Sequence, residues 1–258
     1  MLNEQDIKAA VIDKIRTRIF RDKAVLINEM VFGSNSRRAD LVIANGHLLA
    51  FEIKSDLDTL RRLEGQVADY LSRFDKLILV VSSKFLSRAL EVDDRVGIWE
   101  AFEEGSLVKL RVIRSGKIKI ITSKDFLCEF LLKRELCDLI RNNTDNTKVG
   151  SPSRELLTSL SRGVPVSILR EFVLRSIKLR YKDLSSTFLS SCLSAVQPAD
   201  LEKLSRSKVN RKKLESLIVP FSKSSLSFEK REINLARFFP AGDIPENIPR
   251  FVLVPLSA

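Results

Sequence analysis

The sequence has 258 residues, 44% hydrophobic and 30% charged, a balance that supports a real core and excludes a wholly disordered chain. Lys plus Arg number 44 against 33 for Asp plus Glu, a net charge of +11, which suits a polyanionic partner. One histidine, His47, and three cysteines without metal-type spacing exclude a histidine-based triad and a multi-histidine zinc site.

The N-terminus MLNEQDIK lacks a basic stretch followed by an apolar one, and no apolar run approaches membrane-spanning length. A cytoplasmic protein with reduced cysteines is therefore expected. Residues 3–21 predict an amphipathic helix, with Ile7, Val11, Ile15 and Ile19 recurring every four positions and Asn3 and Asp6 at its start. Residues 24–32 read as a strand carrying Glu29. After the polar loop GSNSRR, residues 37–54 read as two strands joined at Asn45-Gly46, a strong hairpin signal. SDLDT opens a helix expected to run to about Phe74, with Leu60, Leu63, Val67, Leu71 and Phe74 as its apolar stripe. Residues 76–82 form a continuous apolar run, as for a strand buried on both faces. A helix and two short strands follow, so the first part predicts a mixed α/β sheet covered by helices.

After about Ser123 the pattern turns helical. The charge also shifts: 21 basic and 18 acidic residues up to Ser123, net +3, against 23 and 15 afterwards, net +8. The expected division is therefore 1–122 for an α/β domain and 123–258 for a helical, basic region. The cluster Lys203, Arg206, Lys208, Arg211, Lys212 and Lys213 is either a solvated helix face or a nucleic-acid surface.

The hairpin carries the chemistry. Along LLAFEIK, Leu49, Phe51 and Ile53 take one face, and Ala50, Glu52 and Lys54 the other. An acid and a base on one face of an apolar strand need partners or a metal, because buried charge is costly. Asp40 on the preceding strand falls near them. Two acids suit a hard cation such as magnesium, and a lysine beside them suits orienting water or steadying phosphate charge.

Asp40 followed by Glu52-Ile53-Lys54 resembles the signature of the PD-(D/E)XK nuclease superfamily, with Ala39 in place of its nominal proline. Gln66 and Tyr70, four apart on one helical face, resemble the QxxxY motif of its RecB-like branch. The run EIKSDLDTLRRLEGQ is similar to a small bacterial group within it, the sce family, over roughly residues 4–115. The resemblance implies a restriction-endonuclease-like core and hydrolysis of phosphodiesters with Mg²⁺ or Mn²⁺. Asp40 and Glu52 would hold the metal, with Glu29 as a third or water-mediated acid. Lys54 would position the attacking water, Gln66 would orient the site or the nucleic-acid backbone, and Tyr70 would support it as a nucleic-acid contact. Arg37 and Arg38 would contact phosphate. Of Asp56 and Asp58, one would cap the next helix and the other would brace the site. Residues 131–165 look like a SAP-type helix–loop–helix, a small DNA-binding unit, with Leu136, Leu139, Ile140, Leu156, Leu157 and Leu160 inside and Lys148, Arg154 and Arg162 toward phosphate.

The expectation is a Mg²⁺-dependent nuclease of bacterial or phage origin acting on DNA, with Arg211 and Lys212 among the basic residues that hold the polymer. Nucleases of this kind often serve mobile elements or phage defence, and relatives often cut duplexes as homodimers. The alternative is an inactive nuclease fold used for DNA binding or protein interaction.

Overall fold

The computed structural model describes residues 1–33, 37–143, 152–192, 194–205, 228–232 and 251–255. The expected first part is an α/β fold with a six-stranded mixed sheet in sequential order: β1 (Val25–Phe32), β2 (Arg37–Ala44), β3 (Leu48–Lys54), β4 (Lys76–Ser82), β5 (Gly97–Glu104) and β6 (Leu107–Arg114). The first three strands and the last pair are antiparallel, while β3–β4 and β4–β5 are parallel. The hairpin closes at Asn45–His47, after Ala44 pairs with Leu48, and Gly46 takes φ +103°, a conformation that a side chain would strain. β4 is buried on both faces, as its unbroken apolar run predicts.

Helices cover both faces. Helix α1 (Glu4–Arg21) starts at Asn3, whose side chain accepts from the Asp6 N–H at 2.9 Å. It lays Ile7, Ile12, Ile15 and Ile19 against Leu41, Phe51, Ile78 and Trp99. Helix α2 (Leu63–Arg73) packs Leu63, Val67 and Tyr70 on the other face. It begins later than expected. Asp58 instead accepts hydrogen bonds from the Ser55 N–H at 2.8 Å and Ser55 hydroxyl at 2.6 Å, and such local bonds compete with helix. Neither Asp56 nor Asp58 caps α2. Asp56 accepts from the Leu2 N–H at 2.8 Å, fastening the N-terminus.

After the short α3 (Leu86–Leu90), four helices complete the first body: α4 (Lys124–Glu129), α5 (Lys133–Asn143), α6 (Arg154–Ser161) and α7 (Val166–Ser191). The division expected at 122/123 is not where the compact units separate. They are Met1–Asn210 and Arg211–Ala258. Leu127, Leu136, Leu139, Leu157, Leu169 and Val173 share one buried layer with Val42, Ala50 and Leu79 of the sheet. The sheet thus depends on the later helices to cover a whole apolar face. At 26 residues α7 is about 39 Å long. Leu169 and Ile177 join that layer, while Phe188 and Leu189 join the layer under α1. Between them the Ser185 hydroxyl accepts from the Leu26 N–H at 2.9 Å, satisfying a donor on edge strand β1.

In the second unit, β7 (Phe228–Glu232) pairs antiparallel with β8 (Phe251–Pro255). The helix face considered for the basic cluster 203–213 is described only at its start, in the first unit. Pro198–Leu204 is a 3-10 helix, and 206–217, with Arg211 and Lys212, lie outside the described residues. Among the described residues no helix is long and apolar enough to cross a membrane.

Candidate functional site

Strand β3 lies inside the sheet, so both of its faces are buried. Glu52 and Lys54 face α2 with side chains only 6% and 10% exposed. Burial at that level demands partners, and Glu52 has three. Its Oε1 accepts from Lys54 Nζ at 2.7 Å and from Gln66 Nε2 at 2.9 Å. Its Oε2 accepts from the Tyr70 hydroxyl, which also reaches the Arg38 carbonyl at 3.3 Å. The 66/70 spacing thus delivers two donors from one face of α2 to one carboxylate. The Tyr70 ring packs on Phe32 and Phe74 at 5.0 and 5.6 Å between centroids, so its hydroxyl is held by a rigid aromatic group and the residue is buried in the core rather than open to a nucleic acid as expected. Burial and the adjacent Glu52 charge raise the Tyr70 pKa, keeping it a donor.

Asp40 stands beside this cluster across the hairpin, its Oδ2 accepting from the Ile53 N–H at 2.7 Å. Burial pushes its carboxyl up to about 7, and the charge of Glu52 adds to the rise. Helix α1 contributes two charges that the sequence reading missed. Lys8, 3% exposed, pairs with Glu4 at 3.0 Å. Lys8 lowers and Glu4 raises the pKa of Asp40. The missed signal was a lysine four before Ile12, on the apolar stripe of α1 and four after a glutamate.

Glu29 does not join the cluster. It lies at the Asp40 level of the β1–β2 ladder, between the pairs Asn28–Leu41 and Met30–Ala39. Its φ of +56° is left-handed, unusual in a strand. The period-two pattern changes phase here. Val25 and Ile27 share a layer with Met30 and Phe32, and Val42 and Ala44 share it with Ala39. The Glu29 carboxylate, 40% exposed, pairs with Arg38 at 3.4 Å. Arg37 pairs with Asp69 at 2.8 Å. Both arginine pairs are exposed enough to be weak.

Among the described residues no three Asp, Glu, His or Cys side chains converge as a metal site. What converges is a pair, Asp40 and Glu52. Two neighbouring carboxylates, of which Glu52 raises the proton affinity of Asp40, suit a cation that keeps several waters, as magnesium does. Asp40 and Glu52 are thus the residues whose chemistry could hold Mg²⁺ or Mn²⁺, and Glu29 is not among them.

In the helix–loop–helix, Leu136, Leu139, Ile140 and Leu157 are buried as expected, Leu160 is partly buried, and Leu156 is exposed. Arg154 donates to the Cys128 and Glu129 carbonyls at 2.9 and 3.3 Å, closing the end of α4 rather than projecting toward a polymer. Arg162 pairs with Asp125 at 2.9 Å on the surface. Lys148 lies outside the described residues.

The Asp40 shift has a measurable consequence. A carboxyl with a raised folded pKa binds more protons folded than unfolded between about pH 4 and 7. Stability should therefore fall as pH rises through that window, by a few kcal/mol at most. Urea midpoints at pH 5 and 8 should differ more in the native chain than in Asp40→Asn. Mg²⁺ should recover stability at pH 8 and not at pH 5, because only the ionised carboxylate binds metal. A native chain whose midpoint changes with pH no more than that of Asp40→Asn would contradict the assignment.

Residues 1–205 match the family model described as bacteriophage P4 protein cII. Protein cII of Enterobacteria phage P4 is 41% identical over 191 residues, covering 74% of this chain and 72% of that protein. A solved structure described as SPO1766 protein of unknown function from Silicibacter pomeroyi gives a TM-score of 0.36 at 17% identity, covering 48% of this chain and 77% of that one. A likeness of that size carries no argument. The family match includes the whole Glu52 cluster and ends before the Arg211–Ala258 unit. The chain belongs to the bacteriophage P4 protein cII family.

Proposed function

We propose that this chain is a divalent-metal-dependent nuclease, acting on DNA, with a restriction-endonuclease-like core. The observation that carries the reading is the convergence of two carboxylates, Asp40 and Glu52, with the buried amine of Lys54. A bound Mg²⁺ or Mn²⁺ would supply a more acidic water and neutralise charge developing on phosphate. Gln66 and Tyr70 fix the Glu52 carboxylate, so its orientation is set before substrate arrives. Lys54 holds its ammonium at the same oxygen, where it orients water and offsets phosphate charge. Arg37 and Arg38, at the start of β2, offer cations to the backbone on exchange from Asp69 and Glu29. The net charge of +11 favours a polyanion.

A second reading is an inactive nuclease fold that binds DNA or protein. It is favoured by the completeness of the Glu52 network, which satisfies Lys54 and both carboxylate oxygens without a metal. One assay separates the readings. The purified chain and Asp40→Asn are incubated with plasmid DNA, single-stranded DNA and RNA, with and without Mg²⁺ or Mn²⁺. Metal-dependent cleavage of DNA by the native chain alone supports the nuclease. Salt-sensitive DNA binding without cleavage under any metal overturns it in favour of the second reading.

A further inference from the structure

The sheet face opposite the Glu52 site holds a cavity of about 190 Å³ between α1 and strands β2 to β6. Its walls include Ile19, Leu49, Phe51, Ile78, Trp99 and Val112. All but Val112 of β6 belong to the layer under α1, whereas Glu52 and Lys54 face α2, so the two sites do not overlap. The aromatic wall is ordered, with Phe51 and Trp99 meeting edge-on at 5.6 Å between centroids.

The mouth differs in character from the walls. Lys76, at the first position of β4, forms no ion pair among the described residues. Arg18 stands close enough to act on it electrostatically. Asp22, the acid at the mouth, is occupied by Arg18 at 3.3 Å and Arg21 at 3.0 Å. Asn45 lines the same mouth, and its side-chain oxygen is buried without a hydrogen-bond partner. An apolar cavity needs no cation at its entrance for packing. Partly buried Lys76 and its neighbour Arg18 repel one another, a cost that an anion between them would remove.

We propose that this cavity is a binding site for a small amphiphilic anion, one carboxylate head on an apolar body of roughly eight heavy atoms. An apolar cavity of about 150 Å³ holds benzene, so this one takes a slightly larger body. The head sits at Lys76 and Arg18. The body lies along Phe51 and Trp99. The Asn45 side-chain oxygen is an acceptor, so it takes a hydrogen bond from water rather than from the ionised head.

The chain has one tryptophan, Trp99, so emission from the full chain reports on this wall. Octanoate, octanol and octylamine are titrated into the native chain, Lys76→Ala, Lys76→Arg and Val112→Phe, each checked for folding by circular dichroism. Octanoate should change the emission saturably and bind more tightly than octanol or octylamine. Lys76→Ala should weaken octanoate by about tenfold and leave octanol unchanged, the size expected for one charged hydrogen bond. Lys76→Arg should restore octanoate binding. Val112→Phe, which fills the cavity from its β6 wall, should remove binding of both. No saturable change in the native chain, or octanol binding as tightly as octanoate, would overturn the proposal. So would octanoate affinity unchanged by Lys76→Ala. None of these readouts uses nuclease activity.

Discussion

Glu52→Ala is expected to abolish metal-dependent cleavage and also to cost about 3–5 kcal/mol of stability, the range for breaking one side of a buried ion pair. The double effect follows from what Glu52 holds. Lys54, 10% exposed, would be left as an unpaired buried cation, and the Gln66 amide and Tyr70 hydroxyl would lose their acceptor. A variant that loses both activity and fold says little about chemistry. The cleaner chemical test is therefore Asp40→Asn, because removing a strained acid should not weaken the fold at neutral pH. A second control separates charge from packing. Glu52→Leu combined with Lys54→Met removes both members of the pair, and such replacements are often neutral or stabilising. The double variant should regain part of the stability lost in Glu52→Ala and none of the cleavage. Urea unfolding followed by Trp99 emission gives the stabilities. A Glu52→Ala midpoint equal to that of the native chain would show that the network does not bear on the fold.

The hairpin was legible because two independent rules agree on it. Asn45-Gly46 fixes the turn, and alternation along β3 then places Glu52 and Lys54 on one face. Strand β4 was legible for the same kind of reason, since a continuous apolar run of strand length has few other homes. Glu29 shows where alternation stops working. A single left-handed residue shifts the phase of β1, and its carboxylate faces Arg38 rather than Asp40. No periodic pattern encodes one positive φ at a glutamate. Lys8 was hidden differently. Its neighbours make an unremarkable apolar stripe, and the charge on that stripe acquires meaning only when α1 is laid across Asp40. The start of α2 was misread because Ser55 and Asp58 satisfy each other locally, a choice that propensity alone cannot rank against helix. The division at 122 failed for a tertiary reason. Composition changes there, but the apolar face of a sheet must be covered by whatever helices the chain supplies next.

Asp75→Ala should be among the most damaging single substitutions in the first unit, because that one carboxylate joins three parts of the fold. Its side chain is fully buried. Oδ2 accepts from the Leu48 N–H at 2.8 Å, at the start of β3. Oδ1 accepts from the Ile121 N–H at 2.9 Å, in the segment that leads to α4. Arg170 of α7 grips both oxygens, at 2.9 and 2.6 Å. A planar guanidinium meeting a carboxylate through two parallel bonds is the strongest ion-pair geometry available to a protein. The backbone of Asp75 adds to the junction, its N–H donating to the Leu48 carbonyl at 2.9 Å and its carbonyl accepting from the Lys119 N–H at 2.8 Å. Removing the side chain strands a nearly buried arginine and two buried N–H groups, which should cost about 3–5 kcal/mol. Arg170→Ala should cost less, about 1.5–3 kcal/mol, because Asp75 would keep its two backbone donors. The inequality is the sharper part. If Arg170→Ala proved as destabilising as Asp75→Ala in urea unfolding, the backbone bonds would contribute nothing. The pair also sets the chain's organisation. Arg170 lies within the region that composition assigns to a separate basic module, yet its charge is spent on the sheet. It is therefore one cation among the 23 that follow Ser123 that is not available to a polyanion. Arg180 is another, since it pairs with Glu135 while only 8% exposed. Net charge read from sequence overstates the free positive surface wherever arginines serve as internal ties.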